Sequence, residues 1–522
     1  MAITEPRTVA EPGVAVSIQR TGVRIWLVVG LVLLAAWLAL AIALSLTRGP
    51  WSNEAWSAIP AVNLAQNGTM GTTVLEFRNT WLHGLDRHTY WLMPLHILAQ
   101  AVWYKILGFS LFKQRLLSVI FAVVLLVAWY RIVARLTGLQ AAAISACVLI
   151  GFEVNFLSGA ANGRMDMMCA ALGSAAVAAW MDLSVVSPRM ALLAGHSLAA
   201  AAVFTHPCGI LFCAALLLIS LAMNNWRVRL PDLLIAASPY LIAAAFWGMY
   251  IAQAPSDFRA QFFGNASGFA GEYSGRERFN GLMSPARAIV DEMRLRYGNA
   301  FGFDAIRTRV GALNAIRFLV LVSAAAATML IPGLRRQRGV RILFGAAVLV
   351  FLMMALLEGM KYPHYVIYFL PFLSALAATT GAWLWNTHRK LGAPLAFVLL
   401  LLTLAQIKLL TNVIRLNPLR DEMGVVADYV RSHRNPGDLI VGGAELGYVL
   451  GFDDSLRDDV RLGYLTGARP RFVVTTGWYR LWFDAARTND PGAYRYIDNL
   501  LAREYRPELA LGQYRVYQRI EP

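Results

Sequence analysis

The stretch HTYWLMPLHILAQAVWYKILGF, His88 to Phe109, decides how this chain is threaded. It is apolar enough to enter a bilayer, yet it carries His88, His96, Gln100 and Lys105 among its tryptophans and tyrosines. If it crosses, every later loop changes side. That a membrane is involved follows from composition: 58% of the 522 residues are hydrophobic and 15% charged, a balance far more apolar than that of a soluble globular chain.

On either side of this stretch, apolar runs long enough to span lie near 25–46, 116–136, 139–159, 166–186, 189–205, 208–224, 231–253, 313–333, 341–357, 364–385 and 393–413. An α-helical polytopic membrane protein of about eleven membrane helices is expected. The polar segment 1–22 precedes the first run, which is longer than a signal h-region and has no small-residue cleavage pattern, so it reads as a cytoplasmic tail before a retained helix.

Charge arbitrates the ambiguous segment. If 88–109 lies in the interface, Arg131 with Arg135, Arg227 with Arg229, the run Arg335, Arg336, Arg338 and Arg341, and His388, Arg389 and Lys390 all fall on the cytoplasmic side. If it crosses, all four clusters fall outside. Residues 88–109 therefore read as a helix lying on the outer membrane surface, with aromatic residues at headgroup depth. The same clustering between apolar runs accounts for the net charge of +16 through loops and anionic lipid, and nucleic acid is not an expected partner. The four cysteines fall in apolar segments without ligand spacing and read as core residues.

Three polar regions then share the outer face: the loops 47–115 and 254–312, and 415–522. The last region opens at LNPLRDEMGVVADYVRSHRNPGD, where Asn417 and Pro418 start a helix and Asn435, Pro436 and Gly437 stop it. The runs DLIVGG, RFVVTTG and YRVYQRI read as strands, giving a small α/β domain. Its GFDDSLRDDVRLGYLTG, with two Asp pairs, reads as a solvated loop, with cation or acceptor binding as the alternative.

Ionisable residues gather at this face. Glu54 follows Asn53 in SNEAW, at the start of a helix through Ala65, where it serves either as an N-terminal carboxylate complementing the dipole or as a catalytic group. Arg164 and Asp166, in GRMDMMCAAL, immediately precede an apolar run and form either an interfacial anchor or part of a site. EGMKYPHYVIYF crowds Lys361, Tyr362, His364 and Tyr365 into one turn, as belt residues or as a grip on a phosphate. His206 sits on the same face and reads as structural. The loop EFRNTWLHGLDRHTYW adds His83 and Arg87, and GEYSGRERF adds Arg276 and Arg278, cations where an anionic headgroup lies.

In that order, the acidic NEAWSAIPAVNLAQNG, the aromatic YWLMPLHILAQAVWYKILGFSLFKQRLLS, the R-x-D of GRMDMMCAAL and the K-Y-x-x-Y of KYPHYVIYFLPFLSALAA resemble the GT-C glycosyltransferases. Within them the chain is most similar to the family 39 type, the bacterial relatives of protein O-mannosyltransferases and lipid A aminoarabinose transferases. The resemblance covers roughly residues 20 to 415. It implies a GT-C transmembrane module, 23–414, with outer interfacial helices. It also implies transfer of a sugar from a polyprenyl-phosphate donor, beside membrane lipid, to an envelope acceptor (glycolipid, glycan or protein). The reaction would take place outside the bacterial inner membrane, with inversion.

In those relatives the first motif is usually Asp-Glu; here Asn53 stands at its first position and Glu54 matches the second. Glu54 is then the expected base and Asp166 the second acid, while Lys361, Tyr362 and Tyr365 match the turn that meets the lipid phosphate. Such a transfer needs a base near the acceptor hydroxyl and cations that stabilise the departing phosphate, which makes Arg87, Arg276 and Arg278 further expected phosphate contacts. Asn53, Arg164, His83 and His364 are expected to support the acceptor or the site. A divalent metal ion is an open possibility in this family, and no residue is assigned to one. A lipid-linked sugar flippase or secondary transporter is the alternative, but no internal repeat is visible and the polar clusters lie at one surface.

The topology predicts that a cysteine introduced at Arg336 stays unlabelled when intact cells are treated with a membrane-impermeant maleimide; labelling there contradicts the assigned orientation.

Overall fold

The computed structural model describes residues 20–78, 80–224, 229–265 and 280–520. Arg276, Arg278, Arg227 and nearly all of the tail 1–22 lie outside the described residues. The first eleven named helices are α1 Arg20–Thr47, α2 Ser52–Asn67, α3 Pro94–Leu107, α4 Leu111–Thr137, α5 Gln140–Gly151, α6 Val154–Ala160, α7 Met165–Leu183, α8 Pro188–Thr205, α9 Ile210–Met223, α10 Leu230–Ile251 and α11 Pro255–Gly264. Further long helices follow at Arg309–Leu330, Arg338–Leu357, Leu370–Thr387 and Arg389–Leu416. Every apolar run expected to span is helical, the third as the pair α5 and α6, bent by 71°. Seven helices among the described residues have the length and hydropathy to cross a bilayer, eight if the bent pair is one span.

The segment on which the threading turns is helical only over α3, 14 residues. At 1.5 Å per residue that is about 21 Å, short of a hydrocarbon core of about 30 Å. His96 and Gln100 point inward and are buried, while Leu98, Val102 and Ile106 face out, with Lys105 exposed in the last turn. Gln100 donates to Gly163 O at 3.0 Å. This inverts the pattern of a helix on a soluble protein and suits one with its apolar side toward lipid. Helix α10 has no buried residue at all and exposes Leu233, Leu241, Phe246 and Met249, which water would not tolerate.

The basic clusters share one end of the bundle. Arg131 and Arg135, on the last turns of α4, pair with Asp182 at the end of α7 at 2.8 and 3.0 Å. Gly339 lies so close to Leu136 that an added Cβ would stand 1.8 Å from its carbonyl oxygen, bringing the Arg335–Arg341 stretch to the same end. The helices α4 and α7 begin at the other end, at Leu111 and Met165, so Arg115, Arg164 and Asp166 stand a helix length away.

Beyond Asn417, a left-handed helix cap at φ 41°, the chain forms a mixed five-stranded sheet in the order β2-β1-β3-β5-β4. The strands are β1 Ile440–Gly442, β2 Leu456–Arg457, β3 Phe472–Thr475, β4 Tyr505–Leu511 and β5 Tyr514–Arg519. β1 is parallel to β2 and β3, and β5 runs antiparallel to β3 and β4. The three apolar runs read as strands are β1, β3 and β5. Two were missed: β2 has only two residues, and β4 contains Pro507 beside a register shift. The outer edge beside β2 is covered by Leu75, with Glu76 N donating to Asp458 O and Asp458 N to Val74 O at 3.0 and 2.9 Å.

The two Asp pairs part company. Asp454 is exposed, but Asp458 and Asp459 are 2% and 7% exposed, so the second pair is no solvated loop. Asp458 accepts from Trp56 Nε1 at 2.7 Å, Ala444 N at 3.0 Å and Tyr479 OH at 2.8 Å. Glu445 accepts from Ser52 Oγ at 2.5 Å. These contacts dock the sheet domain onto α2.

Burial, with the Asp458 and Glu54 carboxylates nearby, pushes Glu445 up to about 7 from 4.5 in spite of the Ser52 hydrogen bond. The folded state therefore holds a proton that the unfolded chain has already released between those values. Stability contributed by Glu445 is full below pH 4.5 and lost as the pH rises through about 7, on the order of 3 kcal/mol in all. Glu445→Gln should remove that component, giving a melting temperature that falls less than the wild type's between pH 5 and 7.5; parallel curves would rule out Glu445 as its source.

Candidate active site

Two acids stand at the end of the bundle beneath the sheet domain, in different circumstances. Glu54, on the first turn of α2, is 1% exposed. Its Oε1 accepts from Arg115 Nε at 2.9 Å and Gly163 N at 2.8 Å; its Oε2 accepts from Arg115 Nη2 at 2.8 Å and Trp51 N at 3.2 Å. The last contact closes the start of α2 from Glu54 back to the N–H of Trp51, and the other three fasten α2 to α4 and to the turn before α7. Burial would raise this carboxyl, but the Arg115 guanidinium, with Arg48 and the Gly163 N–H, outweighs it and holds the group below the usual range. Arg115 is itself fully buried and spends its remaining nitrogen on Ser45 O and Arg48 O, at 2.9 and 2.8 Å.

Neighbouring residues on a helix point about 100° apart. With Glu54 turned toward α4, Asn53 is the member of the pair that lines a cleft. The cleft encloses about 650 Å³ open to solvent and is walled by Asn53, Trp56, Trp91, Arg164, His206, Tyr362, His364 and Tyr365. Thus α2, the N-terminus of α7, the turn at 206–207 before α9 and the turn at 362–365 converge on one space. The start of α7 brings partial positive charge to it.

Asp166 lies just behind the cleft wall. Its Oδ2 accepts from Arg164 Nε at 2.7 Å, and its Oδ1 has one longer contact, from Tyr368 OH at 3.3 Å, with His206 Nε2 4.0 Å away. The other face of Arg164 donates from Nη2 to His364 Nε2 at 3.2 Å. Since a guanidinium only donates, that imidazole nitrogen is the acceptor and the ring is neutral. Tyr362 stacks on His364 at 5.3 Å between ring centroids, and Tyr365 meets His206 at 5.2 Å. The Arg164–Asp166 pair is therefore an anchor whose Arg164 forms part of the cleft wall, with Asp166 behind it.

Several expected contacts are not brought to this cleft. Lys361, at φ 55°, turns its ammonium inward to Glu292 at 3.0 Å and to Ala355 O at 2.5 Å. Glu292 also pairs with Arg296, at 2.6 Å, which reaches Glu358 at 2.7 Å. Lys361, expected as a phosphate contact, is 4% exposed and lies outside the cleft lining, where its ion pair holds the turn from below. Arg87 extends into solvent beside Asp86 at 4.0 Å, and His83 bonds Asp257 at 2.7 Å, both outside the cleft lining. In reverse, Arg115 and Tyr368 were not singled out from the sequence, while His206, expected on this face as a structural residue, lines the cleft. A lone arginine near the start of a long apolar run was the available signal for Arg115, because such a charge is costly unless paired.

The donor set does not suit a divalent ion. Asp166 is already bridged by a guanidinium, His364 accepts from that same group, and among the described residues no three His, Cys, Asp or Glu side chains stand together as ligands. No step below involves a metal.

No protein-family model and no curated protein matches this chain. Solved structures do match. The crystal structure of ArnT from Cupriavidus metallidurans bound to undecaprenyl phosphate is similar at 13% identity and a TM-score of 0.58, with 96% of this chain and 98% of that one covered. The apo oligosaccharyltransferase of Archaeoglobus fulgidus is similar at 13% identity and a TM-score of 0.50, with 89% and 72% covered. At such identities the likeness concerns the fold, and it agrees with the motifs: the chain is a multi-pass membrane protein with the GT-C architecture and a small C-terminal sheet domain.

Proposed function

We propose that the protein is a glycosyltransferase that moves a sugar from a polyprenyl-phosphate donor to a cell-envelope acceptor on the outer side of the bacterial inner membrane, with inversion at the anomeric carbon. The observation that carries this reading is the convergence of Arg164, His206, Tyr362, Tyr365 and the start of α7 on one cleft at the end of the bundle away from the basic clusters. Support comes also from the structure of the same fold that was solved bound to undecaprenyl phosphate. With the basic clusters cytoplasmic, the cleft and the sheet domain 415–522 are on the outer side.

The chemistry follows from the residues. The donor phosphate sits against the Arg164 guanidinium and the α7 N-terminus, with Asn53, His206 and the tyrosine hydroxyls as further donors. The acceptor hydroxyl oxygen attacks the anomeric carbon from the face opposite the phosphate. The bond from that carbon to the phosphate oxygen breaks, and its electron pair leaves as polyprenyl phosphate, stabilised by those positive groups. The hydroxyl proton passes to Asp166. Of the two acids Asp166 is better suited, because its Oδ1 carries only a 3.3 Å contact whereas both oxygens of Glu54 are bound twice. Glu54 is then a positioning residue. One displacement forms no covalent sugar on either carboxylate.

Substitution separates the two acids. Asp166→Asn should lower turnover by about 10² to 10⁴-fold while undecaprenyl phosphate still binds, and because it leaves buried Arg164 without its anion the melting temperature should fall as well. Glu54→Gln should lower melting temperature and activity together, and Arg115→Ala should cost about 3–5 kcal/mol by leaving a buried carboxylate unpaired. Full turnover in Asp166→Asn would exclude it as the base, and a stable but inactive Glu54→Gln would return that role to Glu54.

A further inference from the structure

A second cleft lies on the far side of Trp56 and Trp91. It spans about 750 Å³, open to solvent, between residues 75–76 and 80–82 on one side and the sheet domain on the other. Five indoles line it: Trp56, Trp81 and Trp91 from the membrane module, Trp478 and Trp482 from the sheet domain. Trp56 packs edge-on to Trp91 at 5.9 Å and to Trp478 at 6.5 Å, so the rings stand at steep angles to one another around the space. Trp56 and Trp91 also line the first cleft, and the two spaces therefore share a wall. At that wall, buried Trp91 Nε1 finds no acceptor among the described residues.

The polar lining is Glu76, Thr80, Asp458 and Asp459, with Arg461. Asp459 holds one backbone N–H on each oxygen, from Arg461 at 2.9 Å and Gly463 at 2.7 Å, and each oxygen keeps a lone-pair direction. Asp458 is more fully used, by Trp56, Ala444 and Tyr479. Carboxylates here repel a phosphate and accept from hydroxyls in charge-assisted bonds, while indole faces attract the C–H side of a sugar ring. A polypeptide adding as a strand has no edge to use beside Asp458, because Leu75 already pairs there.

We infer that this cleft is a saccharide-binding site that seats the acceptor glycan, stacked on Trp81 and Trp478 and bonded to Asp459, with its reactive hydroxyl directed past Trp91 toward the first cleft. The inference rests on the transferase reading above and gives the sheet domain a role in the reaction, since that domain supplies two of the five indoles and both aspartates.

The test uses the full-length protein in detergent and two independent readouts. The probes are methyl glycosides of glucose, galactose, mannose, glucosamine and arabinose, followed by saturation-transfer NMR and tryptophan fluorescence; undecaprenyl phosphate binding is measured in parallel. At least one glycoside should bind saturably. Trp478→Ala and Asp459→Asn should each weaken it about tenfold or more, Trp478→Phe should restore most of it, and undecaprenyl phosphate binding should not change. Variants that melt like the wild type are the ones compared, and Trp81→Ala replaces any that does not. Absence of binding by every glycoside, binding indifferent to these substitutions, or displacement of the glycoside by undecaprenyl phosphate overturns the site. Loss of undecaprenyl phosphate binding in the wild type would instead count against the transferase reading, so the two failures are distinct.

Discussion

Two charges removed almost wholly from water, Glu54 and Arg115, hold together everything at this end of the bundle. Desolvating such a pair is costly, and it persists only where geometry and additional hydrogen bonds offset the loss. Here the fork of Arg115 meets both carboxylate oxygens, and backbone N–H groups of Trp51 and Gly163 take the remaining positions. One side chain thereby ties the start of α2 to the start of α4 and to the turn before α7. Gln114, next to Arg115, reinforces the same junction by donating to Glu54 O and Gly163 O and accepting from Tyr448 of the sheet domain.

The consequences propagate in both directions. With Glu54 fixed toward α4, Asn53 is presented to the cleft, and the turn at Gly163 brings Arg164 to its wall, with Asp166 just behind. A second buried network, Lys361 with Glu292, Arg296 and Glu358, fixes the Tyr362–Tyr365 turn from below. The cleft is thus bounded largely by groups whose charges are balanced outside it, with Arg164 and the start of α7 at its wall. Such preorganised positive groups stabilise developing negative charge without rearrangement during the reaction.

Much of the frame was legible in the sequence because apolar length and charge asymmetry are local properties. The apolar runs are helices, and the Pro94 helix with its inward His96 and Gln100 is too short to cross. Roles at the site were less legible because they depend on direction and on distant partners. Nothing around Asn53 and Glu54 tells which of two adjacent residues faces a cleft, and the partner that decides it, Arg115, lies 61 positions away. Lys361 lies in a left-handed turn, where helical spacing gives no direction for its ammonium. The Asp458–Asp459 pair looked like a solvated loop because its partners, Trp56 and Tyr479, come from the other domain and from a separate helix.

The central claim is that the cleft breaks the bond between a sugar and a polyprenyl phosphate and gives the sugar to an acceptor. Its most direct measurement reconstitutes the purified protein in liposomes with polyprenyl phosphate carrying a radiolabelled sugar and an envelope extract, and counts both products. The account predicts that label passes covalently into the acceptor with one polyprenyl phosphate released for each sugar transferred. Label that merely changes leaflet while still attached to its lipid would contradict it and identify a transporter.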